Sequence, residues 1–170
     1  MKVYEQDNTV ILEDIKDVNP KHIFECSQCF RWIKEDDESY TVVTKGRVIN
    51  VSKQGDKVFL KNTNLDDFNN IWFEYFDLGT DYGKIKDILR NMDEHLEKAT
   101  EFGEGIRILK QDGWEMLISF IISANNRIPM IQRAINNLSK NFGTYIGEYK
   151  NQEYYAFPTP QQLNKATIEE

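Results

Sequence analysis

Residues that bind metals or form covalent cross-links are scarce in this chain, which has two cysteines and two histidines among 170 residues. Cys26 and Cys29 have a spacing that zinc and redox sites also use, but no second pair follows, and His22 and His95 lie far apart. We therefore predict two reduced thiols and no metal site. A glycine-rich phosphate loop and a nucleophile-elbow motif are also lacking, which argues against nucleotide hydrolysis and against a serine hydrolase.

Long apolar segments are lacking as well. No run approaches the roughly 20 residues that span a bilayer, and the N-terminus has no apolar core of a secretory signal. We therefore predict a cytoplasmic protein with no membrane partner. Its hydrophobic fraction of 40% and its aromatic fraction of 12% are typical of a folded domain.

Negative charge dominates the composition, but it is unevenly distributed. The net charge is −7, and residues 1–104 carry 14 basic and 22 acidic side chains. Residues 105–140 carry five basic side chains against two acidic ones and form the only clearly basic stretch. Such a stretch is a candidate surface for a polyanion, although each charge on its own is also typical of a solvated helix face.

The first sixty residues have the composition of β-strands. Runs rich in β-branched and aromatic residues predict strands at residues 9–12, 22–25, 29–33, 40–44, 47–52 and 57–61. Between the last two strands, Gly55 supplies the positive φ that a hairpin turn needs. We expect an antiparallel meander with one buried face.

From residue 64 onward, apolar residues recur at the three- to four-residue spacing of helices. Asn64 and Asp112 are predicted N-caps, and shorter helices are expected at residues 82–89 and 93–99. The helix after Asp112 is apolar nearly all round, which predicts a place in the middle of a bundle. A second helix starts at Pro129 and stops at Gly143.

The end of the chain carries two further helix starts. Thr159 and Pro160 begin a short helix. Residues 167–170 then form a capping-box pattern with no helix behind it, from which we expect that the chain is a fragment or a truncated form. The sequence as a whole predicts an α+β protein, with a twisted antiparallel sheet, flanking helices and the first helices of an incomplete helical domain.

The corner between the two long helices carries adjacent asparagines, Asn125 and Asn126, followed by Arg127. Side-chain amides both donate and accept hydrogen bonds, so they can satisfy base edges of either polarity. Arg127 could add a contact to a phosphate. The alternative is that both asparagines only cap and end helices, where asparagine is common.

Four motifs carry a resemblance to a known family: residues 28–32 (Gln-Cys-Phe-Arg-Trp), Gly46 with Arg47, residues 105–109 with Gln111 and Asp112, and residues 123–126 (Ser-Ala-Asn-Asn) with Ile128. With these motifs the chain resembles the 8-oxoguanine DNA glycosylases, from its early strands to residue 158. The resemblance implies an amino-terminal sheet domain over residues 1–104 and the beginning of the helical glycosylase domain over residues 105–170.

The activity implied by the resemblance is base excision repair. The family recognises 8-oxoguanine in double-stranded DNA, removes the base and cleaves the abasic site as a lyase, without a cofactor. The Lys and Asp that perform this chemistry lie in a helix-hairpin-helix region that has no equivalent in this chain, so the chain alone is expected to be inactive. We expect a monomer, nucleoid-associated in a prokaryote or nuclear in a eukaryote.

The resemblance also assigns residues to the DNA interface. Asn125 matches the asparagine that enters the space left by the extruded base, with Asn126 beside it. Arg127 replaces a third asparagine. Met130 falls where many members use an arginine to read the cytosine opposite the lesion, which predicts weaker discrimination of that base; alternatively, Met130 fills the core.

The candidates for the base pocket are Ser27, Gln28 and Phe30. The family usually has glycine where this chain has Ser27, and the carbonyl of that glycine accepts the N7 hydrogen that distinguishes 8-oxoguanine from guanine. A side chain at this position is expected to strain the backbone or narrow the pocket.

Other functions stay open at this point. The chain could be a non-catalytic module that binds damaged DNA, or a structural or interaction protein that reuses the sheet. Another oxidised or alkylated purine is also a possible substrate.

Overall fold

The computed structural model describes residues 1–166, so the capping-box pattern at residues 167–170 lies outside the described residues. The strands of the described part are β1 (Lys2–Gln6), β2 (Thr9–Glu13), β3 (Trp32–Lys34), β4 (Tyr40–Thr44), β5 (Arg47–Gln54), β6 (Lys57–Lys61), β7 (Tyr145–Tyr149) and β8 (Gln152–Tyr155). The first six form one sheet in the order β1-β2-β6-β5-β4-β3, and β7 pairs with β8 in a second sheet. With antiparallel pairing and flanking helices, the α+β class is confirmed.

The hairpin of β5 and β6 shows how local sequence sets the register of the sheet. Gln54 lies opposite Lys57, and Val51 lies opposite Leu60. Gly55 between the strands has a φ of +61°, the left-handed value predicted for it. Because Val51 and Leu60 are both buried, a slip of one residue would turn these side chains to the solvent face.

Helices begin where side chains can satisfy free backbone N–H groups. Asn64 accepts from the N–H of Asp67 at 2.8 Å, and Asp112 accepts from the N–H of Glu115 at 2.9 Å, so both predicted caps are confirmed. The helices are α1 (Pro20–Phe24), α2 (Leu65–Asp67), α3 (Phe73–Tyr75), α4 (Tyr82–Arg90), α5 (Glu94–Phe102), α6 (Gly113–Ser123), α7 (Ile128–Phe142) and α8 (Pro160–Leu163), with a π-helical turn at Phe68–Trp72 between α2 and α3. No helix within residues 1–166 is long and apolar enough to cross a membrane.

Residues 22–25 do not form the predicted strand, because helix α1 occupies residues 20–24. The side chain of Asn19 accepts from the N–H of Lys21 at 3.0 Å, and Pro20 occupies the first helical turn, where its missing N–H costs nothing. These start signals override the β-type composition. The strand predicted at residues 29–33 also differs, since β3 begins only at Trp32.

Helix α7 ends at Phe142, and the next residue, Gly143, must lack a side chain for a steric reason. A Cβ atom on this residue would lie 2.0 Å from the carbonyl oxygen of Ala156 and 2.5 Å from that of Ser139. The backbone N–H of Gly143 donates to the same Ser139 carbonyl at 2.8 Å. The predicted helix stop is confirmed, and the close approach of the two backbone segments leaves no room for a side chain.

The chain divides into two compact units. Unit 1 comprises Met1–Gln28, Lys34–Tyr40 and Asn50–Lys110, and unit 2 comprises Cys29–Ile33, Thr41–Ile49 and the residues from 111 onward. In the core of unit 1 the fully buried Trp72 donates to the hydroxyl of Thr63 at 2.7 Å and packs edge-on against Tyr75. One core cluster of unit 2 consists of Phe30, Ile131 and Ile135, with Ile122 and Phe157 packed against it.

Helix α6 is not enclosed by the described residues as its apolar composition predicted. Leu117 is 57% exposed and Ile121 is 62% exposed, and Ser119 is the buried residue of the helix. One side of α6 packs through Ile122 against the cluster around Phe30. The expectation of a helix in the middle of a bundle is therefore wrong for residues 1–166.

Candidate nucleic-acid interface

The asparagine corner, residues 124–127, joins α6 to α7 and uses its two asparagines differently. Asn126 is engaged at the end of α6: its backbone N–H donates to the Ser123 carbonyl at 3.2 Å, and its side-chain nitrogen donates to the Ile122 carbonyl at 3.4 Å. Its side-chain oxygen accepts from the N–H of Arg127 at 2.9 Å, at the start of α7. Asn125 is exposed and has a φ of +54°, a left-handed conformation that asparagine tolerates better than most residues. Within residues 1–166, the amide of Asn125 forms no hydrogen bond, so both of its polar atoms are available to a ligand.

The start of α7 adds positive electrostatic potential to the asparagine corner. Arg127 is the N-cap residue of α7 by position, but its side chain caps no backbone group. Its guanidinium is exposed and, within residues 1–166, has no acidic partner. Because the N-terminus of a helix carries partial positive charge, Arg127 and α7 together favour an anion at this place.

Met130 lies in the first turn of α7 and is 53% exposed. It is therefore not a core residue, and its thioether is presented on the same helix start as Arg127. The next residue, Ile131, is 3% exposed and packs against Phe30 and Ile135. The asparagine corner and Met130 are thus supported by a buried apolar cluster rather than lying on a free loop.

Phe30 belongs to that apolar cluster. Its ring is 6% exposed and meets Phe120 of α6 edge-on, with 5.6 Å between the ring centroids. It also packs against the inner face of α7 at Ile131. Phe30 therefore contacts both helices that flank the asparagine corner, and its place in a base pocket stays a prediction.

Ser27 and Gln28 belong to unit 1, and their local geometry differs sharply. Ser27 is exposed and has a φ of +65°, which is strained for any residue with a Cβ atom. The side-chain amide of Gln28 donates to the carbonyls of Ile23 and Arg107, both at 2.9 Å, and its oxygen accepts from the N–H of Leu109 at 3.0 Å. Gln28 thus joins α1 to residues 107–109, and the exposed backbone at Ser27 is fixed by its neighbour.

Unit 2 contains a largely buried ion pair. Arg31 is one of its partners, with a side chain that is 6% exposed. Its guanidinium lies 3.7 Å from the carboxylate of Glu115 and donates to the carbonyl of Tyr155. Burial raises the pKa of Glu115 and lowers that of Arg31, and the attraction between the two opposes both shifts.

These features together are those of a nucleic-acid-binding protein. The chain has a six-stranded antiparallel sheet and a pair of helices. The corner of these helices presents an amide and a guanidinium that have no partner among residues 1–166, and such groups contact bases and phosphates in nucleic-acid-binding proteins.

The comparison with known proteins identifies the family. A family model described as 8-oxoguanine DNA glycosylase, N-terminal domain, matches residues 10–117. The chain belongs to this family.

Solved structures and a curated relative agree with this assignment. MBOgg1 in complex with a low-affinity DNA ligand is 52% identical, with a TM-score of 0.94 over 99% of this chain and 57% of that chain. The apo 8-oxoguanine glycosylase/lyase of Clostridium acetobutylicum is 47% identical, with a TM-score of 0.94 over 98% of this chain and 58% of that chain. An N-glycosylase/DNA lyase of Saccharomyces cerevisiae is 47% identical over 66 residues, which are 39% of this chain and 18% of the yeast protein.

The similarity extends over only part of each relative. The chain spans 57% and 58% of the length of these two solved relatives. Over this span the relatives share the fold of the present chain. The activity of a whole relative depends on its full length, so the shared fold alone does not assign that activity to this chain.

Proposed function

We propose that this chain recognises 8-oxoguanine in duplex DNA, as the amino-terminal part of a bifunctional glycosylase and AP lyase of base excision repair. The observation that carries the proposal is the free amide of Asn125, exposed in a left-handed turn at a helix corner. The Clostridium acetobutylicum relative has been solved with double-stranded DNA that contains cytosine opposite 8-oxoguanine. The place of action is then the nucleoid or the nucleus.

The physical role of Asn125 derives from the cost of base extrusion. An enzyme that takes a base out of the stack loses stacking and pairing energy of a few kcal/mol and leaves the partner base with unsatisfied edges. An amide can both donate to and accept from those edges. The left-handed backbone of Asn125 keeps this amide clear of its own helix, whereas the amide of Asn126 is occupied at the end of α6.

Further residues of each unit are proposed to contact DNA. Arg127 contacts a backbone phosphate, and Met130 faces the base opposite the lesion without a hydrogen-bond donor. Ser27 presents its backbone carbonyl to the damaged base, held by the contacts of Gln28, and Phe30 supports the corner from below. In domain terms, we propose that residues 1–104 form the sheet domain and that residues 105–170 begin the helical domain.

A titration with matched duplexes tests the recognition. The purified chain is titrated with a fluorescein-labelled duplex that carries one 8-oxoguanine opposite cytosine, and with the same duplex carrying guanine. We expect tighter binding to the lesion and an affinity that falls as salt rises, because phosphate contacts release counterions. Equal affinity for the two duplexes in a folded chain would refute the proposal.

The chemistry is tested separately by borohydride trapping on the lesion duplex. Since no residue of the chain matches the family's catalytic lysine, we expect no covalent adduct. An adduct would identify a lysine within the chain that forms a Schiff base and would overturn this part of the proposal. Lesion-selective binding without an adduct would also be the behaviour of a non-catalytic damaged-DNA-binding module, the alternative function.

A further inference from the structure

One side of helix α6 carries little packing within residues 1–166. Leu117 is 57% exposed, Phe120 is 49% exposed and Ile121 is 62% exposed. At its amino-terminal end, Trp114 donates from its indole nitrogen to the carbonyl of Pro158 at 2.9 Å. The asparagine corner lies at the other end of α6, so its position depends on the contacts that set the direction of the helix axis.

Two neighbouring residues, Phe30 and Arg31, hold that axis at two further points. Phe30 meets Phe120 at a centroid distance of 5.6 Å, and Arg31 lies 3.7 Å from the carboxylate of Glu115. The two contact points are five residues apart, or roughly 7.5 Å along the axis at about 1.5 Å per residue. Two contacts at separate points of the helix constrain its direction more than either contact does alone.

Arg31 is itself held on both of its sides. Its carbonyl accepts from the N–H of Val43 at 2.9 Å, and its guanidinium donates to the carbonyl of Tyr155. The side chain is 6% exposed. The ion pair with Glu115 therefore connects α6 to β4 and β8, which are packed elements of the same unit.

We infer that Arg31 and Glu115 are positioning residues for the asparagine corner, which set where the amide of Asn125 is presented to DNA. The inference rests on the proposed function for its last clause alone. Asn125 lies ten residues beyond Glu115, roughly 15 Å along the helix, so a tilt of about 4° moves the corner by about 1 Å. Binding groups need to be held within about half an ångström, so such a tilt is large enough to weaken recognition.

The charge of Glu115 can be removed without changing the shape of its side chain. At 3.7 Å the two groups attract each other by charge without a hydrogen bond. Glu115→Gln keeps the size of the side chain and removes the charge. Asp112→Asn is the matched control, because it removes a charge from the same helical turn while asparagine still caps the helix.

Native-state NMR separates positioning from stability. Backbone ¹H–¹⁵N shifts of residues 123–127 are compared in the wild type, Glu115→Gln, Arg31→Gln, the double variant and Asp112→Asn. We expect shifts at this distant segment in both single variants, no added shift in the double variant, and little change in Asp112→Asn. A merely stabilising ion pair would lower the melting temperature and leave these shifts unchanged, which would overturn the inference.

Affinity for the lesion duplex provides the second readout. Couplings of this kind correspond to roughly twofold to thirtyfold changes, so we expect a loss of that size in Glu115→Gln and none in Asp112→Asn. If the wild type binds no lesion duplex, the proposed function fails, while the NMR shifts still decide the positioning. If Glu115→Gln does not fold, Glu115→Asp replaces it, because the shorter side chain lengthens the contact with Arg31. Unchanged NMR shifts of residues 123–127 in Glu115→Asp would equally contradict the positioning role.

Discussion

The side-chain oxygen of Gln28 accepts a hydrogen bond from the backbone N–H of Leu109 at 3.0 Å, across 81 positions of the sequence. The amide nitrogen of the same side chain reaches the carbonyls of Ile23 and Arg107. Because Gln28 follows Ser27 directly, this one side chain fixes the backbone at the proposed rim of the base pocket.

Replacing Gln28 with alanine is expected to destabilise unit 1. The substitution removes three hydrogen bonds and leaves the N–H of Leu109 without this acceptor, so the expected loss is about 2–3 kcal/mol in free energy of unfolding. Urea denaturation followed by circular dichroism measures it. Gln132→Ala is the control, since Gln132 forms one long bond of 3.4 Å to Trp32; equal losses in the two variants would disprove the bridging role of Gln28.

Replacing Ser27 with glycine is expected to stabilise the fold. A left-handed φ of +65° costs a residue with a Cβ atom about 1–2 kcal/mol, while glycine adds about 0.5–1 kcal/mol of unfolded-state entropy. The expected net gain is therefore up to about 1.5 kcal/mol, measured by thermal unfolding. Ser27→Ala keeps the strained backbone and should give no gain; a gain in the alanine variant would show that the hydroxyl, not the backbone, is unfavourable.

The identity of residue 130 is expected to set discrimination of the base opposite the lesion. Met130→Arg introduces donors at an exposed position of α7, and a good base contact is worth about 1–3 kcal/mol. We expect the preference for 8-oxoguanine opposite cytosine over 8-oxoguanine opposite adenine to rise. Met92→Arg, at another exposed methionine that is 65% exposed, controls for added charge. A similar rise in both variants would mean that non-specific attraction causes it.

The carboxylate of Glu25 predicts a pH dependence of stability. The hydroxyl of Tyr40 donates to it at 2.6 Å and Lys34 lies 3.5 Å away, so the pKa of Glu25 is below its ordinary value of 4.5. A lowered folded-state pKa stabilises the fold above the ordinary value, and this contribution disappears as the pH falls through the folded-state value. Since the group is partly exposed, we expect less than about 1 kcal/mol.

The measurement compares Glu25→Gln with the wild type by urea unfolding at pH 7 and at steps from pH 5 downward. The variant should be less stable at pH 7, and the difference should shrink below about pH 4.5 as the carboxylate takes up a proton. Glu148→Gln, at an exposed residue of β7, should show no such trend. A difference that stays constant down to low pH would rule out the charged pair as its cause.

The sequence predicted elements whose signals are local. To predict the β5–β6 hairpin, it was enough to find Gly55 between two β-type runs. To predict the caps at Asn64 and Asp112, one side chain each was enough. Helix α1 was missed although Asn19 and Pro20 mark its start, because β-type composition was given more weight than these signals. Strand β1 was missed because Lys2, Glu5 and Gln6 are polar and exposed, so no apolar alternation marks it. Strand β7 was missed because Gly147 and Glu148 interrupt its apolar residues.

Features that depend on distant parts of the chain could not be read from the sequence. Nothing local shows that Gln28 reaches Leu109, or that Arg31 pairs with Glu115. The corner itself was visible as a motif, but the different uses of Asn125 and Asn126 depend on backbone geometry. A φ of +54° at Asn125 and the hydrogen bonds of Asn126 separate the residue that is free from the one that ends the helix.

The most direct test of the central claim is the effect of Asn125→Gly on lesion selectivity. Glycine keeps the left-handed backbone and removes the amide, and Asn151→Gly makes the same change at a φ of +61° in the β7–β8 turn. The ratio of affinities for the 8-oxoguanine and guanine duplexes is measured for the wild type and both variants. We expect the ratio to fall by about tenfold or more in Asn125→Gly, in line with about 1–3 kcal/mol for one base contact, and to stay unchanged in Asn151→Gly. An unchanged ratio in Asn125→Gly would contradict the assignment of this amide to the damaged site.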